Sequence, residues 1–412
     1  MREYTLNMLS HADQVKGQGV LSAYEEELAL VTGRLDRLEG DGDDYRIRVR
    51  VNARTVGDVT HIHTVNPEFF LQLPLIKAKG IAVGSVHFLP ETMDQSLHIP
   101  RLFRKVFYSY LIQFYKSMDH LVTVNPCFIP KLAAYGIDPE KVTYIPNYVS
   151  AKRFSRVDEQ RKKELRREWG LDPERFTVVC AGQLQTRKGV MEFAQIAERL
   201  PQMQFVWAGN FAFGNMSDGH RELEQLLQNH PKNLLFTGLV DREKMPQIYQ
   251  MGDVMLLPSF DELFPMTVLE AMSCGLPILL RDLDLYRVIL DGYYLKAQDN
   301  DGFVEQLLSL STDSEYYARA LQMSGEGNAF YSEEHVLSMW RQFYHQVMEE
   351  SIRKQETFRK PLKKVLQMAT GGTRCTTHRE SITAKACFLL RPPFWCCVSG
   401  CCGSTACQSC GS

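Results

Sequence analysis

The sequence lacks any long apolar run and carries almost no net charge. No stretch of about 18 consecutive apolar residues occurs, so the sequence predicts no membrane-spanning helix. The formal net charge of −2 over 412 residues argues against a dedicated nucleic-acid binder, and we expect no nucleic-acid partner. Residues 1–10 are too polar for a signal peptide and instead predict a buried strand, which favours a cytoplasmic protein.

Cysteine is scarce through most of the chain and crowded at its end. Eight of the 11 cysteines fall in residues 375–412, and disulfides between them are not expected in the cytosol. Cys407 and Cys410 have the spacing of metal ligands, but the remaining cysteines are irregularly placed and form no matching pair. We therefore interpret residues 353–412 as a disordered tail or an out-of-frame extension rather than a zinc site.

Short apolar runs alternate with helical stretches in two successive series. This rhythm predicts the α/β class, with two doubly wound Rossmann-like domains at residues 1–155 and 156–330 and a ligand cleft between them. A third segment, residues 331–352, holds apolar side chains at helical spacing and is expected to pack across a domain. The runs that predict strands are 4–9, 45–51, 59–63, 81–87, 121–124 and 142–145 in the first series, and 176–180, 204–208, 233–237, 254–257 and 277–280 in the second.

Two glutamates bracket the start of a predicted helix after one of these strands. Pro265 suits the first helical position, and the free amides around Phe264 and Met266 are donors for a phosphate. Because carboxylates repel phosphate, Glu262 and Glu270 make sense at such a site only if they bind hydroxyl groups. A sugar nucleotide carries both a diphosphate and sugar hydroxyls, so the motif predicts a ligand of this kind. The alternative is that Glu262 is a solvated loop residue and Glu270 a charge on the helix face.

A second strand-to-helix turn carries cations. Arg187 and Lys188 follow the strand at 176–180, where they could neutralise a departing diphosphate, although a solvated basic turn is the plain alternative. At the end of the first strand, Gly17 and Gly19 would let the backbone approach a ligand closely. We expect the helix that follows to hold residues 25–27, three glutamates, in its first turn.

Three histidines lie at strand ends. His87 follows the strand at 81–86, where a polar side chain of an α/β domain points into the ligand crevice, but a hydrogen-bonded core histidine is the alternative. His61 and His63 share one face of their strand and could bind a metal. No acidic or thiol partner is evident nearby, so the sequence favours structural roles for both.

The segment 97–118 combines cations with aromatic residues at helical spacing. Arg101, Arg104 and Lys105 precede the first acidic residue, Asp119. A basic amphipathic helix of this kind is attracted to an anionic membrane surface, and a helix buried in the domain is equally compatible with the pattern.

Taken together, these motifs resemble the family-4 glycosyltransferases of the GT-B fold over residues 4–350. Within that family, the chain is most similar to bacterial glycolipid synthases that add a second hexose to monoglucosyl-diacylglycerol. The paired-glutamate segment is specific for the wider family, whereas the other segments suggest the subgroup. The segments that carry the resemblance are 15–20, 86–92, 144–147, 185–189, 262–270 and 281–286.

The resemblance implies a retaining enzyme at the cytoplasmic membrane face that needs no metal or other cofactor and uses UDP-glucose or UDP-galactose on a glycolipid acceptor. It implies that Glu270 holds the ribose, Glu262 holds a hydroxyl of the donor sugar, and His87 lies beside the anomeric carbon. It assigns the diphosphate to Gly17, Gly19, Arg187, Lys188 and the backbone at Phe264, Pro265 and Met266. Gln183 stands where the wider family often has arginine, which places more weight on the two remaining cations.

Two other functions use the same residues. The same donor chemistry could act on a polysaccharide, teichoic-acid or undecaprenyl-linked acceptor. A sugar-nucleotide sensor without catalytic activity could also keep the fold, but the intact set of Glu262, Glu270, Lys188 and His87 counts against it.

Overall fold

A computed structural model describes residues 2–12, 19–35, 45–91, 101–211, 219–262 and 264–370. Contacts divide the chain into two units, residues 1–358 and residues 359–412. The first unit contains both sheets and the candidate site. The described part of the second unit is the end of one helix, which reaches Thr370. The cysteine-rich segment and Gly17 lie outside the described residues.

Two parallel sheets of six strands each are formed by the described residues, as the two series of apolar runs predict. Their orders are β2-β1-β3-β4-β5-β6 and β12-β11-β10-β7-β8-β9. The strands of the first sheet are β1 (Arg2–Leu9), β2 (Tyr45–Val51), β3 (Val59–Ile62), β4 (Ile81–Val86), β5 (His120–Thr123) and β6 (Val142–Tyr144). The strands of the second are β7 (Thr177–Ala181), β8 (Gln204–Ala208), β9 (Leu234–Gly238), β10 (Val254–Leu257), β11 (Ile278–Arg281) and β12 (Leu295–Ala297).

The strand orders locate a ligand crevice in each sheet. In an open parallel sheet, ligands bind beyond the carboxyl ends of the strands, where successive connections diverge to opposite sides. In the second sheet that point lies between β7 and β10, and in the first between β1 and β3. The glutamate-bearing loop follows β10, the basic turn follows β7, and His63 follows β3, so the topology places all three at crevices.

Helices connect most of these strands. They are α1 (Gly19–Arg34), α2 (Pro67–Lys79), α3 (Arg101–Lys116), α4 (Phe128–Ala134), α5 (Glu159–Glu168), α6 (Val190–Arg199), α7 (His220–Gln228), α8 (Met245–Gln250), α9 (Met266–Ser273), α10 (Asp284–Ile289), α11 (Asn300–Thr312), α12 (Ser314–Phe330) and α13 (Glu333–Thr370). Aspartates cap several of them: Asp158, Asp299 and Asp313 each accept a hydrogen bond from a backbone N–H of the first turn. None of the described helices is both long enough and apolar enough to cross a bilayer.

Helix α13 returns from the second sheet to the first and completes its core. Val336, Trp340, Phe343 and Val347 are buried in the same cluster as Tyr4 of β1. The predicted crossing helix is therefore confirmed, but its predicted end is wrong. The helix continues beyond the predicted end at residue 352 to Thr370, so residues 353–370 are helical rather than part of a disordered tail, because the lysine, arginine, glutamine and leucine residues of this stretch favour helix.

Two other elements differ from expectation. Strand β12 was not predicted, because its three residues at the sheet edge are too few to show a pattern. Helix α1 begins at Gly19, earlier than predicted, so residues 25–27 do not lie in its first turn. Instead they lie further along the helix, and all three make side-chain contacts that are described below.

Helix α3 packs one face into the core. Leu111, Phe114 and Tyr115 are buried, and the Tyr110 hydroxyl donates to Val65 O at 2.8 Å. Much of the aromatic content of this helix therefore serves the domain, while Lys105 and other residues of the opposite face are exposed.

Candidate active site

The basic turn after β7 is pressed against the end of β10. Residues Thr186–Lys188 form one 3-10 turn, and Gly189 follows with φ of 73°. A side chain at Gly189 would place its Cβ 2.4 Å from Pro258 O, so glycine is required both by the close approach and by the left-handed backbone. This packing brings the cations of the turn to the loop that carries Glu262.

Lys188 and Glu262 form a largely buried ion pair at this junction. The lysine Nζ lies 2.5 Å from Oε1 and 2.7 Å from Oε2 of the carboxylate. Burial alone would raise the pKa of Glu262, but the ammonium of Lys188 and the guanidinium of Arg187 outweigh it and hold the pKa below its usual value. Glu262 is therefore an anion, and its charge keeps an ammonium group at the crevice.

Arg187 connects the same two loops through the backbone. Its Nη1 donates to Asp261 O at 3.1 Å, and its own carbonyl accepts from Phe260 N at 2.8 Å. The Nε atom of Arg187 is buried without a hydrogen-bond partner. Arg281 of β11 packs against the loop that carries Glu262, with its guanidinium carbon 4.0 Å from the ring centre of Phe260.

The helix that opens beside this pair starts close to the predicted position. Met266 is its first residue. Pro265, which is predicted at the first helical position, is instead the N-cap and has extended backbone. As the cap, Pro265 accepts the backbone N–H of Val268 through its carbonyl at 3.1 Å. Phe264 is held by the ring of Tyr331 at 5.4 Å between centroids. Gln183, in the turn after β7, accepts a hydrogen bond from the Gln185 side chain at 3.0 Å.

Glu270 faces a different set of partners, on α9. The Tyr249 hydroxyl donates to its Oε2 at 2.5 Å. Burial raises the pKa of Glu270, and the charge of Glu26 on α1 adds to this, while the Tyr249 hydrogen bond, Arg242 and Arg153 oppose it. Sequence reasoning did not find Tyr249, because nothing in its local surroundings marks it as the partner of a glutamate in another helix.

Two arginines bind Glu26 close to Glu270, and one of them, Arg242, joins the two predicted domains. Arg242 donates to Glu25 Oε2 at 2.6 Å and to Glu26 Oε1 at 3.3 Å, and Arg153 donates to the same Glu26 oxygen at 3.0 Å. Since Glu26 is buried, two cations keep its charge compensated. No motif of the sequence pointed to these contacts, because their partners are more than 100 residues apart.

The histidines gather on the first sheet. The rings of His61 and His63 are 4.1 Å apart, and those of His63 and His87 are 6.4 Å apart. Burial lowers the pKa of His61 to about 3 and that of His87 to about 4, so these imidazoles are neutral. His87 therefore has no positive charge to offer a phosphate at neutral pH.

The expectation that His61 and His63 lack an acidic partner is wrong. Glu27 of α1 lies 3.5 Å from His61 Nδ1 and 3.7 Å from His63 Nδ1. The helix brings the carboxylate from a distant part of the sequence, which is why no nearby acidic residue was evident. Among the described residues, these three form a group whose potential ligand atoms lie within 4.8 Å of one another.

The predicted residues thus fall into a donor-side group and a histidine group. Lys188, Arg187 and Glu262 are in one contact network, and Glu270 lies on the helix that opens after it. No direct contact between His87 and Glu262 is present in the described part of the chain. Helix α1, which opens at Gly19, links the groups, because Glu26 influences Glu270 while the adjacent Glu27 contacts the histidines.

Comparison with known proteins identifies the family. Residues 161–323 match the family described as glycosyl transferases group 1. The chain is also 42% identical to the alpha-galactosylglucosyldiacylglycerol synthase of Streptococcus pneumoniae, over 83% of this chain and 90% of that protein.

The chain belongs to the group 1 glycosyltransferases.

A second relative of this glycosyltransferase is more distant. The chain is 24% identical to this relative, the processive diacylglycerol alpha-glucosyltransferase of Acholeplasma laidlawii, over 60% of this chain and 72% of that protein. Among solved structures, HepE from Anabaena in complex with UDP-glucose superimposes with a TM-score of 0.63 at 12% identity, covering 85% of this chain and all of that one. The structural likeness confirms the GT-B fold, and the sequence relatives confirm the predicted family.

Proposed function

We propose that this glycosyltransferase moves a hexose from a UDP-sugar to monoglucosyl-diacylglycerol and so forms a diglycosyl-diacylglycerol. The observation that carries the proposal is the buried Lys188–Glu262 pair beside the start of α9, at the crevice of the second sheet. Cations and a fixed carboxylate meet there close to the amino end of a helix, which is what a sugar diphosphate requires. The similarity to a named glycolipid synthase over nearly its whole length supports the lipid acceptor.

The donor-side residues have distinct roles in this proposal. Arg187, Lys188 and the backbone amides at the start of α9 bind the diphosphate, and Glu270 accepts hydrogen bonds from the ribose. Glu262 binds a hydroxyl of the hexose while it holds Lys188 in place. Because the positive charges of Arg187 and Lys188 are fixed before the reaction, they stabilise the leaving UDP with no reorganisation of the protein.

The transfer that follows retains the anomeric configuration. The bond from the anomeric carbon to the diphosphate oxygen breaks, and a bond from the acceptor hydroxyl forms on the same face of the sugar. The hydroxyl proton passes to the departing phosphate oxygen. His87, as a neutral imidazole, contributes a hydrogen bond beside the anomeric carbon. With two cations in the donor site, we expect full activity in excess EDTA.

A surface formed by α2 and α3 fits the anionic membrane that carries the acceptor. The exposed fractions of Leu71, Leu75 and Val106 are 79%, 51% and 67%. The ring of Phe70 contacts that of Tyr110 at 5.6 Å, which holds the two helices together. Exposed Lys105 lies beside Val106, so the surface offers both the apolar side chains and the charge that an interface requires.

Sedimentation with liposomes tests the membrane proposal. Wild-type protein should sediment with vesicles of anionic lipid and stay in solution with zwitterionic ones. Salt at 0.5 M, which shortens the Debye length to about 4 Å, should release it. The variants Lys105→Glu and Leu71→Ser should weaken binding, whereas Arg221→Glu, on the exposed side of the other lobe, serves as the matched control. If all three variants bind equally, the α2–α3 surface is not the docking face, and a soluble or undecaprenyl-linked acceptor gains support.

A further inference from the structure

A chain of polar side chains is buried behind His87, and the donor chemistry does not use it. One member lies on α1, one on α13, and the others on or next to β3 and β4. We call it the buried chain, and its members are, in order of contact, Glu27, Tyr344, His61, Ser85 and His63.

Each link of the buried chain is a hydrogen bond between buried groups. The Tyr344 hydroxyl bonds the Glu27 carboxyl group and lies 2.8 Å from His61 Nδ1. Ser85 Oγ lies 2.9 Å from His61 Nε2 and 3.1 Å from His63 Nδ1. At the two ends, Glu27 Oε1 and His63 Nε2 are buried and have no hydrogen-bond partner.

If the carboxyl group and each hydroxyl donate only along the buried chain, its hydrogen bonds run in one of two directions. A neutral imidazole has one N–H and one lone pair, and a hydroxyl donates once. If Glu27 is a carboxylic acid, every donor points from Glu27 towards His63, and both histidines carry the proton on Nε2. If Glu27 is a carboxylate, every bond reverses, and both carry it on Nδ1.

The absence of a paired cation among the described residues around Glu27 favours the first arrangement. Burial raises the pKa of Glu27 well above the ordinary value, against a smaller opposite effect of the Tyr344 hydrogen bond. In the described part of the chain, no lysine or arginine pairs with this carboxyl group, and its titratable neighbours include His61, His63, Tyr344 and Tyr148. The histidines cannot supply a positive charge, because burial lowers the pKa of both.

We propose that the buried chain runs one way, from a neutral Glu27 to His63, and positions His87 for sugar transfer. The buried chain lies next to His87, since Ser85 is two residues before His87 and the centre of the His63 ring lies 6.4 Å from that of the His87 ring. Through Tyr344, the crossing helix takes part in the buried chain. This inference rests on the proposed function, because it gives His87 its place beside the transferred sugar.

A metal ion is the competing use of Glu27, His61 and His63. The hydrogen bonds argue against it, because both nitrogens of His61 are already engaged by Tyr344 and Ser85. An ion bound to His61 Nδ1 would have to displace the tyrosine hydroxyl. The cavity next to the buried chain, lined by residues that include Glu27, Ser85 and His87, offers only about 20 Å³, which is room for about one water molecule.

Two measurements on the full chain test the proposal. Long-range ¹H–¹⁵N spectra of histidine-labelled protein report the tautomers, with signals assigned by His61→Gln and His63→Gln. We expect Nε2–H for both in wild type and in Glu27→Gln, whose amide still donates to Tyr344, and loss of that fixed state in Glu27→Leu. An Nδ1–H tautomer in wild type, or stoichiometric metal in protein purified without chelator, would overturn the proposal.

Kinetics tests the positioning role. Ser85→Ala and Tyr344→Phe each leave buried partners unpaired, so we expect kcat to fall about tenfold with donor KM unchanged. Ser351→Ala removes another buried hydroxyl of α13, one that donates to Asp58 O at 2.9 Å, and serves as the control for stability. If Tyr344→Phe fails to fold, Ser85→Ala carries the test. Unchanged kcat in Ser85→Ala refutes positioning, whereas wild-type protein without any transfer activity refutes the proposed function and leaves the tautomer result valid.

Discussion

Lys188 holds both carboxylate oxygens of Glu262, at 2.5 and 2.7 Å from its Nζ. The two residues come from loops after different strands and meet at the crevice of the second sheet. An ion pair buried to this degree behaves as one unit, since removing either partner leaves the other charge uncompensated. In the proposed function, the pair presents one face to the diphosphate and the other to the hexose.

The ion pair predicts a non-additive result in a double-mutant cycle. Lys188→Met should lower kcat about 100-fold, because it removes a fixed cation from the leaving group. Glu262→Gln should also lower kcat, and the double variant should lose much less than the product of the two single losses. Steady-state kinetics with saturating acceptor measures this, and strictly multiplicative losses would show that the residues act independently.

Glu270 predicts a pH dependence of donor binding. Burial raises its pKa above 4.5, so the carboxylate takes up a proton at a higher pH than an exposed glutamate does. A carboxylic acid accepts ribose hydrogen bonds poorly, and donor KM should therefore rise as the pH falls through the raised pKa. Glu270→Gln should abolish this rise, and Glu270→Ala should increase KM about tenfold at pH 8 with little change in kcat. A KM profile in the glutamine variant that still follows wild type would contradict the assignment.

His87 predicts the opposite behaviour. Burial lowers its pKa to about 4, so the ring stays neutral over the working range and gains a proton only in acid. We expect the pH profile of kcat between pH 5.5 and 8 to show no ionisation that His87→Asn removes, although the variant lowers kcat. A titration near pH 6.5 that disappears in the variant would show that the histidine acts in its charged form.

The contacts of Arg242 with the first domain predict that salt and mutation change donor KM only modestly. Arg242 contacts Glu25 and Glu26 near Glu270. Arg242→Ala should raise donor KM several-fold, because partly exposed ion pairs are worth only about 1 kcal/mol and Arg153 still pairs with Glu26. Arg221→Ala is the exposed control. Donor titrations at low and high salt check this, and equal KM values in both variants would exclude the bridge from donor binding.

Much of the fold could be predicted from the sequence, because buried parallel strands are short apolar runs. The bounds of β2, β8 and β10 agree with the predicted runs, and both sheets follow from the alternation. The donor loop could also be identified, since Glu262 and Glu270 lie within one local motif. Edge strand β12 could not, because Leu295–Ala297 has no apolar run of its own.

What the sequence did not reveal depends on pairings between distant residues. Glu26 and Glu27 are adjacent, yet one meets Arg153 and Arg242 while the other meets Tyr344 and His61. Only the packing of α1 between the lobes and the return of α13 decide those partners. Local spacing carries no record of such contacts, which is why the histidines were expected to lack an acidic neighbour.

A transfer assay tests the central claim most directly. Wild-type protein and Lys188→Met are incubated with radiolabelled UDP-glucose or UDP-galactose and monoglucosyl-diacylglycerol in anionic vesicles, and the lipid product is identified by mass spectrometry. We predict that one of the two donors yields a labelled diglycosyl-diacylglycerol in wild type and about 100-fold less in the variant. Folded wild-type protein that yields no labelled lipid from either donor, or a variant as active as wild type, would contradict the proposed site.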